Sequence, residues 1–287
     1  KRGKWWLVGA SWAENGSFKG TSQYRALVPN EANGHISVGN ENGLRDLAHL
    51  AREQRMNTDI RRAIFVTVVS ASDHQDACLR LMKLKLKKVQ ELEIPKVIIH
   101  CSSAEKHYNP YYALIANRLC GDKKLRIAFQ FSLWDLFKRM GETNHDDDPV
   151  EDNSDEGLLD TRQLVNLAKM FGALIVGGSI DLSVLRNLNL RYLQAKSQIF
   201  VEVLLVTVLL HPQLQCKSGR DEQPITRIFS KAKDTPSTRR GLEYFLKKVL
   251  PKTDIAGGEA ELATVRWACK VAANVLDSLH TADTIDA

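Results

Sequence analysis

The sequence predicts an all-α protein, a superhelix of antiparallel helical hairpins entered through an extended N-terminal arm. Two observations carry this reading. From Asn57 onward, apolar residues recur at three- and four-residue intervals in segments of helical length, each closed by turn residues, as in short amphipathic helices stacked in pairs. Before Leu44 that period is missing, and the chain instead offers a tryptophan-rich stretch and then a run of Gly, Asn and Ser. The architecture implied is HEAT-like.

The arm comes first. Trp5, Trp6 and Trp12 crowd beside Leu7 and Val8. Each indole presents a large apolar area and an N–H that wants an acceptor, so the stretch must dock on something. It packs either on the chain's own helical domain or in a groove of a partner. Ala13 to Gly43 has the composition of a linker. Leu44, Leu47, Ala48 and Ala51 then form a short amphipathic helix.

The first helix proper carries Ile60, Ile64 and Val68 on one face. Thr58 is its N-cap, and Asp59 sits in the first turn, where the helix end favours a carboxylate. Ser72 stands three residues before Gln75, a capping-box spacing that opens a second helix striped by Leu79, Met82 and Leu86. Val97, Ile98 and Cys101 mark a third, with Pro95 near its start, where a missing N–H does least harm. Asn109 before Pro110 is a cap followed by a residue already at helical φ, and Tyr111, Leu114, Ile115, Arg118 and Leu119 continue the period. Leu125, Phe129, Leu133, Leu136 and Met140 stripe a fifth.

Asp160, three residues before Gln163, caps the next helix, whose Leu164, Leu167, Ala168, Phe171, Leu174 and Ile175 form a broad apolar face; Gly177-Gly178 ends it. After Leu182, Leu185 and Leu188 comes a strongly apolar run from Ile199 to Leu210. It is shorter than the roughly 20 residues a bilayer needs and contains Glu202, so it is expected to be a core helix closed by Pro212. Pro224 opens a helix with Ile225, Ile228 and Phe229. Leu242, Phe245, Leu246 and Val249 follow between Gly241 and Pro251, and Val265, Ala268, Cys269, Ala272, Val275 and Leu276 stripe the last. The expected divisions are 1–43 (arm and linker), 44–178 (first helical domain, with an acidic loop at 142–160) and 179–287 (C-terminal helical extension).

With 287 residues, 44% of them hydrophobic, the chain has material for one large or two ordinary domains. Cys78, Cys101, Cys120, Cys216 and Cys269 form no Cys-x-x-Cys pair and read as reduced, buried thiols. The chain opens at Lys1 without Met and without a signal-peptide pattern, so it is treated as part of a longer protein. A net charge of +6 suits a nucleic-acid neighbourhood. Lys83, Lys85, Lys87 and Lys88 form one basic cluster; Arg239, Arg240, Lys247, Lys248 and Lys252 form another. Each reads either as a set of phosphate contacts or as a solvated helix face. Residues 142–160 hold Asp146, Asp147, Asp148, Glu151, Asp152, Asp155 and Glu156 with no Lys or Arg, a composition that resists burial.

Catalytic patterns are missing. There is no phosphate-cradling Gly-x-x-x-x-Gly-Lys loop, no Gly-x-Ser-x-Gly elbow and no His-Glu-x-x-His pair, and no calcium-loop spacing among the acidic residues. His100 beside Cys101 is a poor dyad, because helical neighbours point about 100° apart. His74, His107 and His211 fall near helix ends and read as caps.

Three blocks carry a family likeness: Gln54-Arg55-Met56-Asn57-Thr58-Asp59-Ile60-Arg61-Arg62-Ala63-Ile64, Lys106-His107-Tyr108-Asn109-Pro110-Tyr111-Tyr112 and Phe129-Gln130-Phe131-Ser132-Leu133-Trp134-Asp135. They resemble an MA-3 domain, in the version found in the nucleolar family that carries a middle domain of initiation factor 4G upstream. The spliceosomal factor with the same two-domain plan is the nearest competitor, and Trp5-Trp6-Leu7-Val8-Gly9 favours the nucleolar family. Pro224 to Lys231 and Gly241 to Lys248 resemble that family's C-terminal extension. The resemblance implies a non-enzymatic adaptor without cofactor. Its partner would be a DEAD-box RNA helicase of the initiation factor 4A type, and its setting the nucleolar assembly of the small ribosomal subunit and processing of its precursor RNA. Pre-ribosomal RNA and small-subunit assembly proteins are further partners on this reading, and a membrane is not. Direct RNA binding, a pre-ribosome scaffold and a pre-mRNA splicing adaptor stay as alternatives. In the MA-3 domains of a tumour suppressor that inhibits initiation factor 4A, acidic residues after the fifth helix contact the helicase. Asp155, Glu156 and Asp160 fall at the comparable place, although the acidic insert here is longer.

Overall fold

The structure, a computed structural model, describes residues 47, 49–142, 159–215, 220–232 and 236–285. The arm and linker therefore lie outside the described residues, with Trp5, Trp6 and Trp12, and so do Asp155, Glu156 and Cys216. Among the described residues every regular element is helical. The chain divides into two compact units, 1–129 and 130–287.

In the first unit, helix α1 spans Asp59–Ser70. Thr58 caps it as expected, its Oγ1 accepting from the Arg61 N–H at 3.2 Å. Ile64, Phe65 and Val68 are buried. Helix α2, His74–Lys83, departs from the sequence reading in two ways. Its N-cap is Asp73, whose carboxylate accepts from the Asp76 N–H at 2.7 Å, while Ser72 donates through N–H and Oγ to Asp76. A carboxylate one residue later outcompetes the serine as cap. The buried stripe is accordingly Ala77, Cys78 and Leu81, leaving Leu79 and Met82 52% and 62% exposed, and Leu86 lies beyond the helix.

Helix α3 is Glu93–Ala104 and α4 is Pro110–Leu119, the latter capped by Asn109, whose Oδ1 accepts from the Tyr111 N–H at 3.1 Å. Leu114, expected on the apolar stripe of α4, is 40% exposed. Helix α1 packs on α2 and α3, and α4 packs on α2 and α3, the pattern of stacked helical hairpins. Tyr111 locks the stack by donating its hydroxyl to the Val68 carbonyl at 2.7 Å. Between α3 and α4, Glu105 is only 1% exposed, its Oε1 accepting from Tyr112 Oη at 3.1 Å and Asn109 Nδ2 at 3.3 Å. Burial pushes its carboxyl above the ordinary value.

Helix α5, Lys123–Arg139, carries the predicted stripe, with Phe129, Leu133 and Leu136 buried; the boundary between the units falls within it. In the second unit, α6 (Thr161–Val176) packs along α7 (Ala195–Gln215). Gly172 makes their approach close: a Cβ there would stand 2.9 Å from Thr207 Cβ and 3.2 Å from the Leu204 carbonyl oxygen. Gly178, at φ +74°, supplies the left-handed turn after α6.

Pro212 does not end α7, which runs on to Gln215. Near a C-terminus a proline removes one hydrogen bond, and Gln213 pins this last turn, donating to the Asp221 carbonyl at 2.7 Å and accepting the Asp221 N–H at 2.8 Å. The helix is also longer than its apolar run. Ala195–Leu214 is long and apolar enough to cross a membrane by length and composition, but Phe200, Val201, Leu204, Leu205 and Leu209 are fully buried within this unit. Tertiary packing accounts for its apolarity.

Helix α8 is Gln223–Phe229, with Pro224 in its first turn. Helix α9, Pro236–Tyr244, begins earlier than the apolar period indicated and passes into a π-helical turn, Phe245–Val249, that stops beside Pro251. Helix α10, Glu259–Ile285, packs on α7, α8 and α9.

Candidate interaction surfaces

The lysines after α2 form a displayed basic turn. Lys83, Lys85, Lys87 and Lys88 are all exposed. Lys85 holds φ at +46°, a left-handed conformation that costs a side-chain-bearing residue about 1–2 kcal/mol and fixes a sharp reversal. The turn is pinned from α5: Lys124 Nζ donates to the Lys88 carbonyl and pairs with Glu91 Oε2 at 2.7 Å. Beside these cations the unit exposes Leu79, Met82 and, at 77%, Val89. The first unit therefore shows solvent a surface that is both basic and apolar. Sequence periodicity missed its apolar half, because it assigned Leu79 and Met82 to the core.

The second basic cluster is thinner than the sequence suggests. Arg239 is only 5% exposed on α9, which removes it from any surface contact with RNA. Lys247 is exposed but held by Glu243 Oε1 at 2.6 Å and Asp277 Oδ2 at 3.2 Å, and these carboxylates raise its pKa. Arg240 and Lys248 remain as exposed cations, with no ion pair among the described residues.

Of the acidic candidates, Asp160 is described. It is exposed at the start of α6, where its N–H donates to Gln163 Oε1 at 2.9 Å, one arm of the expected capping box. Its carboxylate is accessible to a partner while it terminates the helix.

A third surface lies in the block from Phe129 to Asp135, which carried a family likeness in the sequence but no reading as a surface. Phe131, 56% exposed on α5, meets the Trp134 ring edge-on at 5.2 Å and 88°. Trp134 donates its indole N–H to the Val184 carbonyl at 2.8 Å, and the Arg186 guanidinium lies 4.9 Å from its ring centroid. The available signal was an aromatic pair three residues apart, off the Phe129–Leu133–Leu136 stripe.

Reactive chemistry finds no foothold in the described thiols. Burial pushes Cys120 and Cys269 up to about 12 and holds Cys78 and Cys101 above their ordinary value, so none is a thiolate nucleophile near neutral pH. His100 points its Nε2 at Gln54 Oε1, 3.3 Å away. No group of three metal-ligating side chains is present among the described residues.

Comparison with known proteins gives these surfaces a family. An MA3 domain profile matches residues 60–181. Suppressor of glycerol defect protein 1 of Saccharomyces cerevisiae is 33% identical over 96% of this chain. Nucleolar MIF4G domain-containing protein 1 of Homo sapiens is 31% identical over 92% of it. The chain spans 34% and 27% of the length of these two relatives. Pre-mRNA-splicing factor CWC22 homolog of Drosophila melanogaster is 30% identical, but over half of the chain and 10% of its own length. The spliceosomal likeness thus covers about half of the chain, the nucleolar one more than nine-tenths. The chain is an MA3-domain protein, homologous over most of its own length to the family of Suppressor of glycerol defect protein 1 and Nucleolar MIF4G domain-containing protein 1.

Proposed function

We propose that this chain is a non-enzymatic adaptor whose MA3 domain engages a DEAD-box RNA helicase of the initiation factor 4A type, in nucleolar assembly of the small ribosomal subunit and processing of its precursor RNA. The observation that carries the reading is homology along 92–96% of the chain to relatives of which one is named nucleolar, together with the MA3 match. A stack of helical hairpins is a stiff scaffold. Touching a helicase that alternates between open and closed arrangements of its lobes, it shifts that equilibrium by its differential affinity for the two. ATP turnover belongs to the helicase. Asp155, Glu156 and Asp160 are the proposed acidic contacts.

The test is calorimetric titration of this chain into such a helicase, with and without nucleotide and RNA. The wild type is compared with a variant carrying Asp155→Asn, Glu156→Gln and Asp160→Asn. Asparagine at 160 keeps the helix cap while removing the charge, so the fold is spared. The expected result is state-dependent binding that the triple change weakens about tenfold or more. Absence of wild-type binding in every nucleotide state sinks the reading for this chain.

A further inference from the structure

We propose that the seam between the second half of α5 and the segment 184–194 is a binding site for a short stretch of single-stranded RNA, built from residues other than the basic clusters and the acidic helicase candidates. Two hydrogen bonds hold the segment against α5 and the turn that follows it: Trp134 Nε1 to the Val184 carbonyl at 2.8 Å, and, three residues past the end of the helix, the Gln194 N–H to Glu142 Oε1 at 2.8 Å. The exposed groups along this seam include Asp135 and several amides, but two kinds stand out. Phe131 and Tyr192 are aromatic rings 56% and 80% exposed. Arg186 and Arg191 are exposed cations with no carboxylate partner among the described residues.

That combination fits one ligand chemistry better than others. Unpaired bases stack on aromatic and guanidinium planes, and phosphates pair with the guanidinium edge. The Arg186 guanidinium already lies 4.9 Å from the Trp134 ring centroid, and its fork of N–H donors suits a bidentate phosphate contact. Phe131, edge-on to the same indole, presents its own ring beside that cation. A base on Phe131 and its phosphate on Arg186 would need no rearrangement of the anchored tryptophan. Phe131 and Tyr192 are aromatic side chains that stay more than half exposed, and an exposed ring with an arginine beside it marks a recognition site.

The experiment is fluorescence anisotropy of a short labelled single-stranded RNA titrated with this chain, with a duplex of the same sequence as control. The expected result is tighter binding of the single strand, since duplex bases are already stacked. Phe131→Ala and Arg186→Ala should each weaken it about tenfold, and Tyr192→Ala should weaken it as well. Because these side chains are exposed, the melting temperature should hold, and Tyr192→Ala, the most exposed, tests the seam without touching the Trp134 anchor. Affinity should fall steeply with salt. Single-strand binding that is unchanged in Phe131→Ala and Tyr192→Ala but lost in Lys83→Ala with Lys87→Ala overturns the proposal in favour of the basic turn. No RNA binding at low salt overturns it too, and an acidic peptide that binds in an Arg186-dependent way then marks the seam as a protein-docking site.

Discussion

Helices α2 and α7 are the extremes of this molecule. Helix α2 has ten residues and buries three of them; its outward face holds Leu79, Arg80, Met82 and Lys83. Helix α7 has twenty-one residues and is buried nearly all round, with Phe200, Leu204, Leu205 and Leu209 fully enclosed. The difference shows that apolar content alone assigns neither core nor surface. What decides is how many neighbouring helices surround an element: α7 packs on α6, α8 and α10, whereas the main contact faces of α2 among the described residues are toward α1 and α4. A leucine on an element with one or two neighbours has a fair chance of facing water, and there it becomes available for a partner.

The sharpest break of this contrast is Phe200→Ala. Phe200 is fully buried and stacks edge-on to Phe137 at 5.5 Å and 88°. Truncation leaves a cavity that the surrounding helices fill only in part, with an expected loss of about 3–5 kcal/mol in denaturant unfolding. A loss below ~1 kcal/mol would mean that α7 is not a core helix.

Much of the fold was legible because helix ends announce themselves in short-range chemistry. Thr58, Asn109-Pro110, Asp160 with Gln163 and Gly177-Gly178 each act where sequence placed them. The facing of α2 was not legible, because two of its three buried positions are small. Ala77 and Cys78 are fully buried beside Leu81, while the bulkier Leu79 and Met82, which dominate any apolar count, point away. Pro212 misled because its effect falls near the end of α7, where one lost hydrogen bond matters least and the Gln213 side chain ties the last turn to Asp221. Of the candidate surfaces, the lysine turn could be read from composition. The burial of Arg239 and the second carboxylate on Lys247, Asp277, depend on residues distant in sequence, and so does the Arg186 contact with Trp134.

A second contrast concerns charge. The α7 core is apolar, but the α3–α4 junction encloses Glu105, whose pKa burial raises. A carboxyl with a folded pKa above its unfolded value binds protons more readily in the native state. It therefore lowers stability as pH climbs from the ordinary carboxylate value through the raised one, and the full penalty persists above it. Glu105→Gln keeps the acceptor for Tyr112 and Asn109 and removes the charge. The variant should be more stable than wild type near pH 7, with the difference vanishing toward about pH 4. Paired thermal melts at the two pH values check this, and a variant less stable near pH 7 would contradict it.

The smallest effect on stability is the one most informative about α2. Leu79→Ser with Met82→Ser alters two large apolar side chains that are more than half exposed, so unfolding free energy should move by no more than about 0.5 kcal/mol for each. If the pair lies in a hidden core, the double change instead costs several times that amount, because each buried side chain contributes about 1.5–3 kcal/mol. Denaturant unfolding separates the two outcomes without any partner present. Near-zero cost has a further consequence: nothing in the folding of this unit then requires these positions to be apolar. Their apolarity beside Lys83, Lys85, Lys87 and Lys88 would have to be explained by what the surface binds, and an apolar, cationic surface suits a partner segment that combines hydrophobic anchors with acidic side chains.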